Sequence, residues 1–213
     1  MKKTLLASIL FALPIVAQAA GGYIEGQVGY THIRDVDTET FTTVETGSVS
    51  GSLEYDSTIG YGLEIGIREF ENNNVLRIGL AWTRFEAELD SASINVTGGT
   101  ELGPISGAAS ASDLESIGIN LDSDVDVYSA NIYYDFPVPM AFKPYVGLGV
   151  GVADIDNAQD TELALIGLIG GQYEISESVN LGIKYQYIDI DNFEYRLKNV
   201  GVSIISATLG VNF

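Results

Sequence analysis

The chain has 213 residues, a formal net charge of −19 at pH 7 and a hydrophobic fraction of 46 %. A protein this acidic repels polyanions, which argues against nucleic acid or anionic lipid as a partner. It contains no cysteine, which excludes a disulfide framework and a lipoprotein anchor.

The first residues carry the features of a secretory signal. Lys2 and Lys3 precede an apolar run over residues 5–16, and Ala17 and Ala19 supply the small residues of a cleavage site. The apolar run is shorter than the about 20 residues of a membrane-spanning helix. We therefore expect residues 1–19 to be a signal peptide and residues 20–213 to form one domain.

After the signal, apolar and polar residues alternate with a period of two, which predicts strands rather than helices. The pattern predicts eight strands, over residues 23–34, 57–70, 75–89, 125–136, 144–155, 162–175, 179–190 and 200–213. Strands of about 10 residues or more are longer than those of most soluble sheets and suit a tilted strand that crosses a membrane.

The connections between these strands alternate in length and charge. Short turns are predicted over 71–74, 137–143 and 176–178, whereas the segments 35–56, 98–124, 156–161 and 191–199 are mostly longer and polar. Four segments, 35–56, 86–126, 154–162 and 189–194, hold 22 of the 29 acidic residues. This arrangement is typical of an outer-membrane barrel, with the short turns in the periplasm and an acidic outer end.

Residues 85–97, FEAELDSASINVT, leave two readings open. Their alternation could carry the third strand beyond the membrane as a protruding hairpin, or the third strand could end near residue 89. The Ser-, Gly- and Ala-rich stretch that follows, over 98–112, predicts a flexible loop.

Glycine occupies every second position in the segment KPYVGLGVGVADID, over residues 143–156. Its apolar face suits lipid, so Gly147, Gly149 and Gly151 should face the lumen. The interior of an eight-stranded barrel is only wide enough for side chains to fill it. Glycine there would make room for large side chains from the facing wall.

The same parity predicts a polar network inside the barrel. Its members are Glu25, Gln27, Glu64, Arg68, Arg77, Asp135, Gln172, Glu174, Lys184 and Gln186. An unpaired ion in a narrow lumen costs several kcal/mol, so we expect Glu25 and Glu64 to pair with nearby cations from Arg68, Arg77 or Lys184. A lumen filled by such ion pairs would be closed to water and ions.

Three stretches resemble a known family: VYSANIYYDFPVPMAFKPYVGLGVGVA over 127–153, ISESVNLGIKYQYID over 175–189 and the terminal SATLGVNF over 206–213. They look like the small outer-membrane β-barrel proteins, a group that includes the OmpA transmembrane domain, OmpX and the opacity-type surface antigens. The resemblance implies an all-β, eight-stranded antiparallel up-and-down transmembrane barrel in the outer membrane of a Gram-negative bacterium. It also implies insertion by the outer-membrane assembly machinery, which reads a last strand such as that of Leu209, Val211 and Phe213.

Catalytic and metal chemistry have weak support in the sequence. His32 is the single histidine, and no serine or aspartate is fixed beside it by the sequence. Alternate aspartates near the predicted strand ends, such as Asp122, Asp124 and Asp126 or Asp154 and Asp156, could hold Ca²⁺ or Mg²⁺, but solvated charge accounts for them more simply. We expect no enzyme activity and no cofactor.

The sequence thus favours a monomeric surface protein with a structural or adhesive role. Its expected partners are outer-membrane lipid, lipopolysaccharide bridged by divalent cations, and a host or phage surface. The alternatives are a narrow pore, a small-ligand-binding barrel and an enzyme at the outer rim.

Overall fold

The computed structural model describes residues 21–34, 36–37, 41–43, 47–68, 75–97, 105–110, 112–113, 122–156, 161–191 and 200–213. These residues form thirteen strands: β1 (Gly22–Ile33), β2 (Val36–Asp37), β3 (Phe41–Thr43), β4 (Gly47–Tyr55), β5 (Thr58–Ile67), β6 (Leu76–Ala87), β7 (Leu89–Thr97), β8 (Ile105–Ser110), β9 (Ser123–Asp135), β10 (Phe142–Ile155), β11 (Glu162–Glu174), β12 (Val179–Ile190) and β13 (Val200–Asn212). No helix among the described residues is long and apolar enough to cross a membrane.

Eight of the strands close into an antiparallel barrel. Their order around the wall is β1, β13, β12, β11, β10, β9, β6 and β5, and the pairing of β1 with β13 and β5 closes the circle. These are the eight strands that the alternation predicts, so the predicted fold class is confirmed. Closure leaves no free sheet edge in the wall, as a strand structure in lipid requires.

The barrel has two different ends. The turn end has the three short connections, over 68–75, 136–141 and 175–178, together with the start of β1 and the end of β13. The loop end has the remaining connections and a second sheet, in which β4 pairs with β2, β3 and β7, and β7 pairs with β8.

The second sheet corrects two loop predictions. Segment 35–56 contains β2, β3 and β4, and the predicted flexible stretch 98–112 contains β8. The protruding hairpin is the reading that the structure supports, because β4 leads into β5 and β7 continues β6 beyond the barrel wall. The pairing of β4 with β7 contains a register shift between Glu54 and Tyr55. The hydrogen-bond ladder of β5 and β6 thus propagates past the barrel and overrides the low strand propensity of serine and glycine.

Side chains alternate between the two faces of the wall. Large apolar residues such as Ile59, Leu148 and Ile183 are 56 to 70 % exposed on the outer face. Exposed aromatic residues lie near both ends, among them Tyr134, Phe136 and Tyr173 towards the turn end and Tyr30, Tyr61 and Tyr185 towards the loop end. An apolar band between two aromatic girdles is the surface that a membrane-spanning barrel presents to lipid.

Candidate functional site

A pair of buried glutamates lies at the centre of the polar part of the lumen. Lys184 Nζ lies 2.6 Å from Glu25 Oε1 and 3.8 Å from Glu64 Oε2, and all three residues are at most 3 % exposed. β1 and β5 place the two glutamates directly opposite each other in register. Lys184, on β12 and separated from β1 by β13, therefore counters both carboxylates.

Neutral donors complete the surroundings of Glu64. Its Oε1 accepts a hydrogen bond of 2.5 Å from the Tyr23 hydroxyl, and its Oε2 accepts one from Asn131 Nδ2 at 3.2 Å. The Tyr133 hydroxyl donates a further hydrogen bond to Oε2. Three donors to one carboxylate replace the water that it loses on burial, which keeps the charge tolerable in the lumen.

Arg77 lies in an aromatic cage nearer the turn end. Its Nε is 2.9 Å from Asp135 Oδ2, and its guanidinium carbon lies 5.5, 4.4 and 4.7 Å from the ring centres of Tyr23, Tyr133 and Tyr145. Arg77 is only 1 % exposed. The tyrosine faces stabilise the cation by cation–π attraction where water is excluded. The alternation places these rings inside the barrel, but the predicted polar network does not include them because it was defined by charged and amide side chains.

The other polar residues on the predicted inner face divide between the lumen and the barrel mouth. Gln172 donates to Glu25 at 2.9 Å and accepts from Arg68 at 2.8 Å, which joins the cation to the centre. Gln186 is 3 % exposed and accepts from Gln27 at 3.5 Å. Glu174 lies apart from this network: its side chain is 41 % exposed at the turn end, where it pairs with Lys143 at 2.5 Å.

Inward-facing glycines give these large side chains their space. A Cβ on Gly147 would lie 2.6 Å from the Tyr133 ring, and one on Gly79 would lie 2.6 Å from Glu64 Oε1. A Cβ on Gly149 would collide with the Asn131 amide. The large side chains that use this space come from neighbouring strands rather than from the facing wall, because Gly147 and Gly149 pair in register with Tyr133 and Asn131 on β9.

The loop-end half of the lumen has a different filling, which the sequence analysis did not predict. We call it the apolar layer; its members are Ile33, Phe85, Val125, Val127, Ala153, Ala164, Ile166, Leu168, Ile188, Ile190, Val202 and Ile204, each at most 5 % exposed. Tyr55 of the second sheet packs against the layer, and burial raises the pKa of its hydroxyl. The alternation along each strand assigns these positions to the inner face. It is hard to recognise there because the residues on both faces of the strand are apolar.

At the loop-end rim, part of the predicted acidic charge is already paired. Arg84 forms ion pairs with Asp124 and with Asp126, the latter at 3.3 Å, and Trp82 Nε1 donates to Asp126 at 2.9 Å. Within the described ranges, no three carboxylate or histidine side chains are grouped so that they could hold a metal ion.

His32 lies on the exposed rim, and its Nδ1 is 3.3 Å from Ser57 Oγ. A serine nucleophile needs a base that a third group holds in place. No carboxylate among the described residues is hydrogen-bonded to His32, so this pair lacks the orienting group of a hydrolase.

The last strand ends at the turn end with Phe213, whose N–H donates to Gly22 O at 2.9 Å. Leu209, Val211 and Phe213 are 53, 40 and 49 % exposed on the outer face. Ala17 and Ala19, the predicted cleavage site, lie outside the described residues, as does the whole predicted signal peptide.

Comparison with known proteins identifies the architecture. A family model described as the outer membrane protein beta-barrel domain matches residues 4–213. The fold is similar to that of Neisserial surface protein A, with 20 % identity, a TM-score of 0.56, and 91 % of this chain and 98 % of that chain covered. It is also similar to OprG from Pseudomonas aeruginosa, with 16 % identity, a TM-score of 0.55, and 91 and 96 % of the two chains covered. No curated protein sequence matches the chain significantly.

Proposed function

This chain belongs to the family of outer-membrane β-barrel proteins and resides in the outer membrane of a Gram-negative bacterium, and from that premise we propose that it is a surface protein with a closed lumen. In this proposal the turn end faces the periplasm, and the loop end with its second sheet faces outward. The role is structural or adhesive, and the outward surface carries the contacts.

The observation that carries the proposal is the apolar layer. A pore needs a continuous path for water, and the Ile, Val, Leu, Ala and Phe side chains of this layer cannot hydrate an ion. Among the described residues, three buried polar side chains pair in register with members of the layer: Thr31, Thr83 and Gln186. Below it, the charges occur in a balanced set: the carboxylates of Glu25, Glu64 and Asp135 face the cations of Arg68, Arg77 and Lys184. Both halves of the lumen therefore favour closure.

A narrow pore or a small-ligand-binding barrel is the alternative, and the lower half of the lumen gives it some support. Tyr145 OH, Asn180 Oδ1 and Thr208 Oγ1 are buried without a protein hydrogen-bond partner, so each has an unused hydrogen-bonding position that water or a small polar molecule would fill. The apolar layer would have to open before such a molecule could cross.

Single-channel recording on the refolded protein in planar bilayers tests the proposal. We expect no discrete conductance steps from the wild type. A variant with Ile188→Ser and Ile204→Ser, which makes the layer polar, should conduct only if the ion-paired lower half also opens, so heat-modifiable migration on gels serves as the control for folding. Stable conductance steps from the wild type would overturn the closed-lumen proposal and favour the pore.

The outward contacts are part of the same proposal. The expected partners are outer-membrane lipid, lipopolysaccharide and a host or phage surface, with the assembly machinery acting on the last strand. We propose a monomer, because the closed barrel has no free strand edge in the membrane through which a second copy could pair.

A further inference from the structure

One sector of the outer wall combines cationic, hydroxyl and aromatic groups at the loop end. It lies on β12 and β13, at the end of β1 and directly before β5, and these four strands are neighbours in the barrel. We call it the headgroup patch; its members are His32, Arg34, Ser57, Tyr185, Tyr187 and Ser203. Resting on the proposed surface function, we propose that this patch binds the phosphorylated sugar headgroup of lipopolysaccharide.

Two tyrosines of β12 connect the patch across β13. The guanidinium carbon of Arg34, which directly follows β1, lies 5.8 Å from the centre of the Tyr187 ring. Between them in the wall is Gly201, where an added Cβ would lie 2.6 Å from the Tyr187 hydroxyl. The absence of a side chain at Gly201 therefore lets Tyr187 lie across β13 towards Arg34, and the stacking positions the guanidinium on the outer face.

The hydroxyl groups are also fixed by pairing. Tyr185 OH is 3.1 Å from Ser203 Oγ, and Ser203 pairs in register with His32. On the other side, His32 Nδ1 is 3.3 Å from Ser57 Oγ. Ser203 on β13, His32 on β1 and Ser57, which precedes β5, thus lie in a row of hydrogen-bonding groups suited to sugar hydroxyls and phosphate oxygens.

The position of the patch identifies its occupant. Ile59, Tyr30 and Ile205, one step closer to the membrane centre on the same strands, are 54 to 69 % exposed on the lipid-facing wall. The patch is continuous with this wall, so the molecules that meet it are the headgroups of the outer leaflet. Tyrosine is enriched at this depth, and arginine pairs well with phosphate.

Charge separates this sector from the rest of the rim. Arg34 has no ion pair with a carboxylate among the described residues, whereas Arg84, on the opposite side of the β5 and β6 hairpin, is held by Asp124 and Asp126. At the border of the patch, Asp189 pairs in register with Gly201 and brings one carboxylate close to it. The chain has a net charge of −19. Within the described part of the rim, the guanidinium of Arg34 therefore gives this sector a positive group that can bind an anion.

The test measures binding of fluorescent lipopolysaccharide to the refolded full chain in phosphatidylcholine nanodiscs. The double variant His32→Gln and Arg34→Gln should bind about fivefold more weakly, as for loss of an exposed charge contact. Asp189→Asn should bind more tightly, and Arg84→Gln, which removes a charge already paired within the protein, should lose clearly less affinity than the double variant. Heat-modifiable migration on gels confirms that each variant is folded.

Two further binding measurements identify the chemical group that the patch recognises. Dephosphorylated lipopolysaccharide should bind wild type and double variant alike, and phosphatidylglycerol should not compete at equal phosphate concentration. Equal binding of intact lipopolysaccharide by wild type and double variant, or an equal loss with Arg84→Gln, would refute the patch. Efficient competition by phosphatidylglycerol would show a general anion surface instead. These failures are separate from failure of the closed-lumen proposal, which conductance alone decides.

Discussion

The Nζ atom of Lys184 lies 2.6 Å from Oε1 of Glu25, with the two side chains only 3 and 1 % exposed. At this depth neither charge has access to bulk water, so each depends on the other. Because Glu64 Oε2 is also only 3.8 Å from Lys184, one ammonium group counters two carboxylates. Loss of the lysine should therefore be more damaging than loss of either acid.

Replacing Lys184 with Met should destabilise the barrel by about 3 to 5 kcal/mol, because it leaves two buried carboxylates without a cation. The measurement is urea unfolding of the refolded protein in detergent micelles. Lys143→Met is the matched control, since Lys143 pairs with Glu174 where both side chains are 41 % exposed. That change should cost less than about 1 kcal/mol. Equal effects of the two substitutions would contradict the buried network.

Arg77→Ala should also cost about 3 to 5 kcal/mol, because it removes the ion-pair partner of Asp135 and the cation within the aromatic cage. Arg77→Lys should recover part of the loss, since it restores the charge without the planar group that stacks on Tyr133. The same unfolding assay decides, and an Arg77→Ala protein as stable as the wild type would show that the cage is not stabilising.

Gly147→Ala should destabilise the barrel by about 1 to 3 kcal/mol, because the new methyl group would overlap the Tyr133 ring. Gly167→Ala is the control: it lies on a neighbouring strand, and no atom is within 4 Å of its added Cβ. This change should alter the unfolding free energy by no more than about 0.5 kcal/mol. If both glycines tolerate alanine equally, close packing of the lumen is not the reason for the glycine stripe.

The sequence predicts the barrel well because its alternation is dictated by the membrane. Outward residues such as Leu148 must be apolar and inward residues such as Lys184 must find partners, so a period of two persists along each strand. The apolar layer escapes prediction for the converse reason: Ile166 and Leu168 face inward on a strand whose outward residues, such as Leu165 and Ile169, are equally apolar, so the contrast disappears. The second sheet escapes in part because β8 forms by pairing with β7, and local composition carries little of that information.

Partner choice within the lumen was the least predictable feature. Parity places Glu25, Glu64 and the cations in one space, but register and depth decide that Lys184 reaches the glutamates while Arg77 reaches Asp135. Depth also separates Glu174 from the network. Its position on β11 faces inward, but it lies at the turn end of the barrel, where its side chain is 41 % exposed.

Phe213→Ser should reduce the surface level of the protein in cells far more than it alters refolding in vitro. Phe213 is 49 % exposed, so its loss removes few internal contacts, while the assembly machinery would lose its terminal aromatic residue. Phe142→Ser is the control, because Phe142 is a 45 % exposed aromatic residue at the same turn end but on β10. Immunoblots of outer-membrane fractions compare the two, and normal levels of Phe213→Ser would exclude it as the assembly signal.

Divalent cations at millimolar concentration should strengthen association of the protein with lipopolysaccharide, and chelation should reverse the effect. The acidic loop end repels the phosphates of the surrounding lipid, and exposed charges respond strongly to ionic strength. Because the described rim has no grouped metal ligands, and Arg84 already holds Asp124 and Asp126, we expect screening rather than coordination.

Two comparisons separate screening from coordination. NaCl at matched ionic strength should reproduce most of the effect of Mg²⁺ if the cation screens, whereas a coordinated ion could not be replaced in this way. A variant with Asn at Asp122, Asp124, Asp154 and Asp156 should bind lipopolysaccharide with less dependence on either salt, because its rim repels the phosphates less. If the variant and the wild type bind equally and neither responds to Mg²⁺, the rim charge has no part in lipid contact and only keeps the outer surface hydrated.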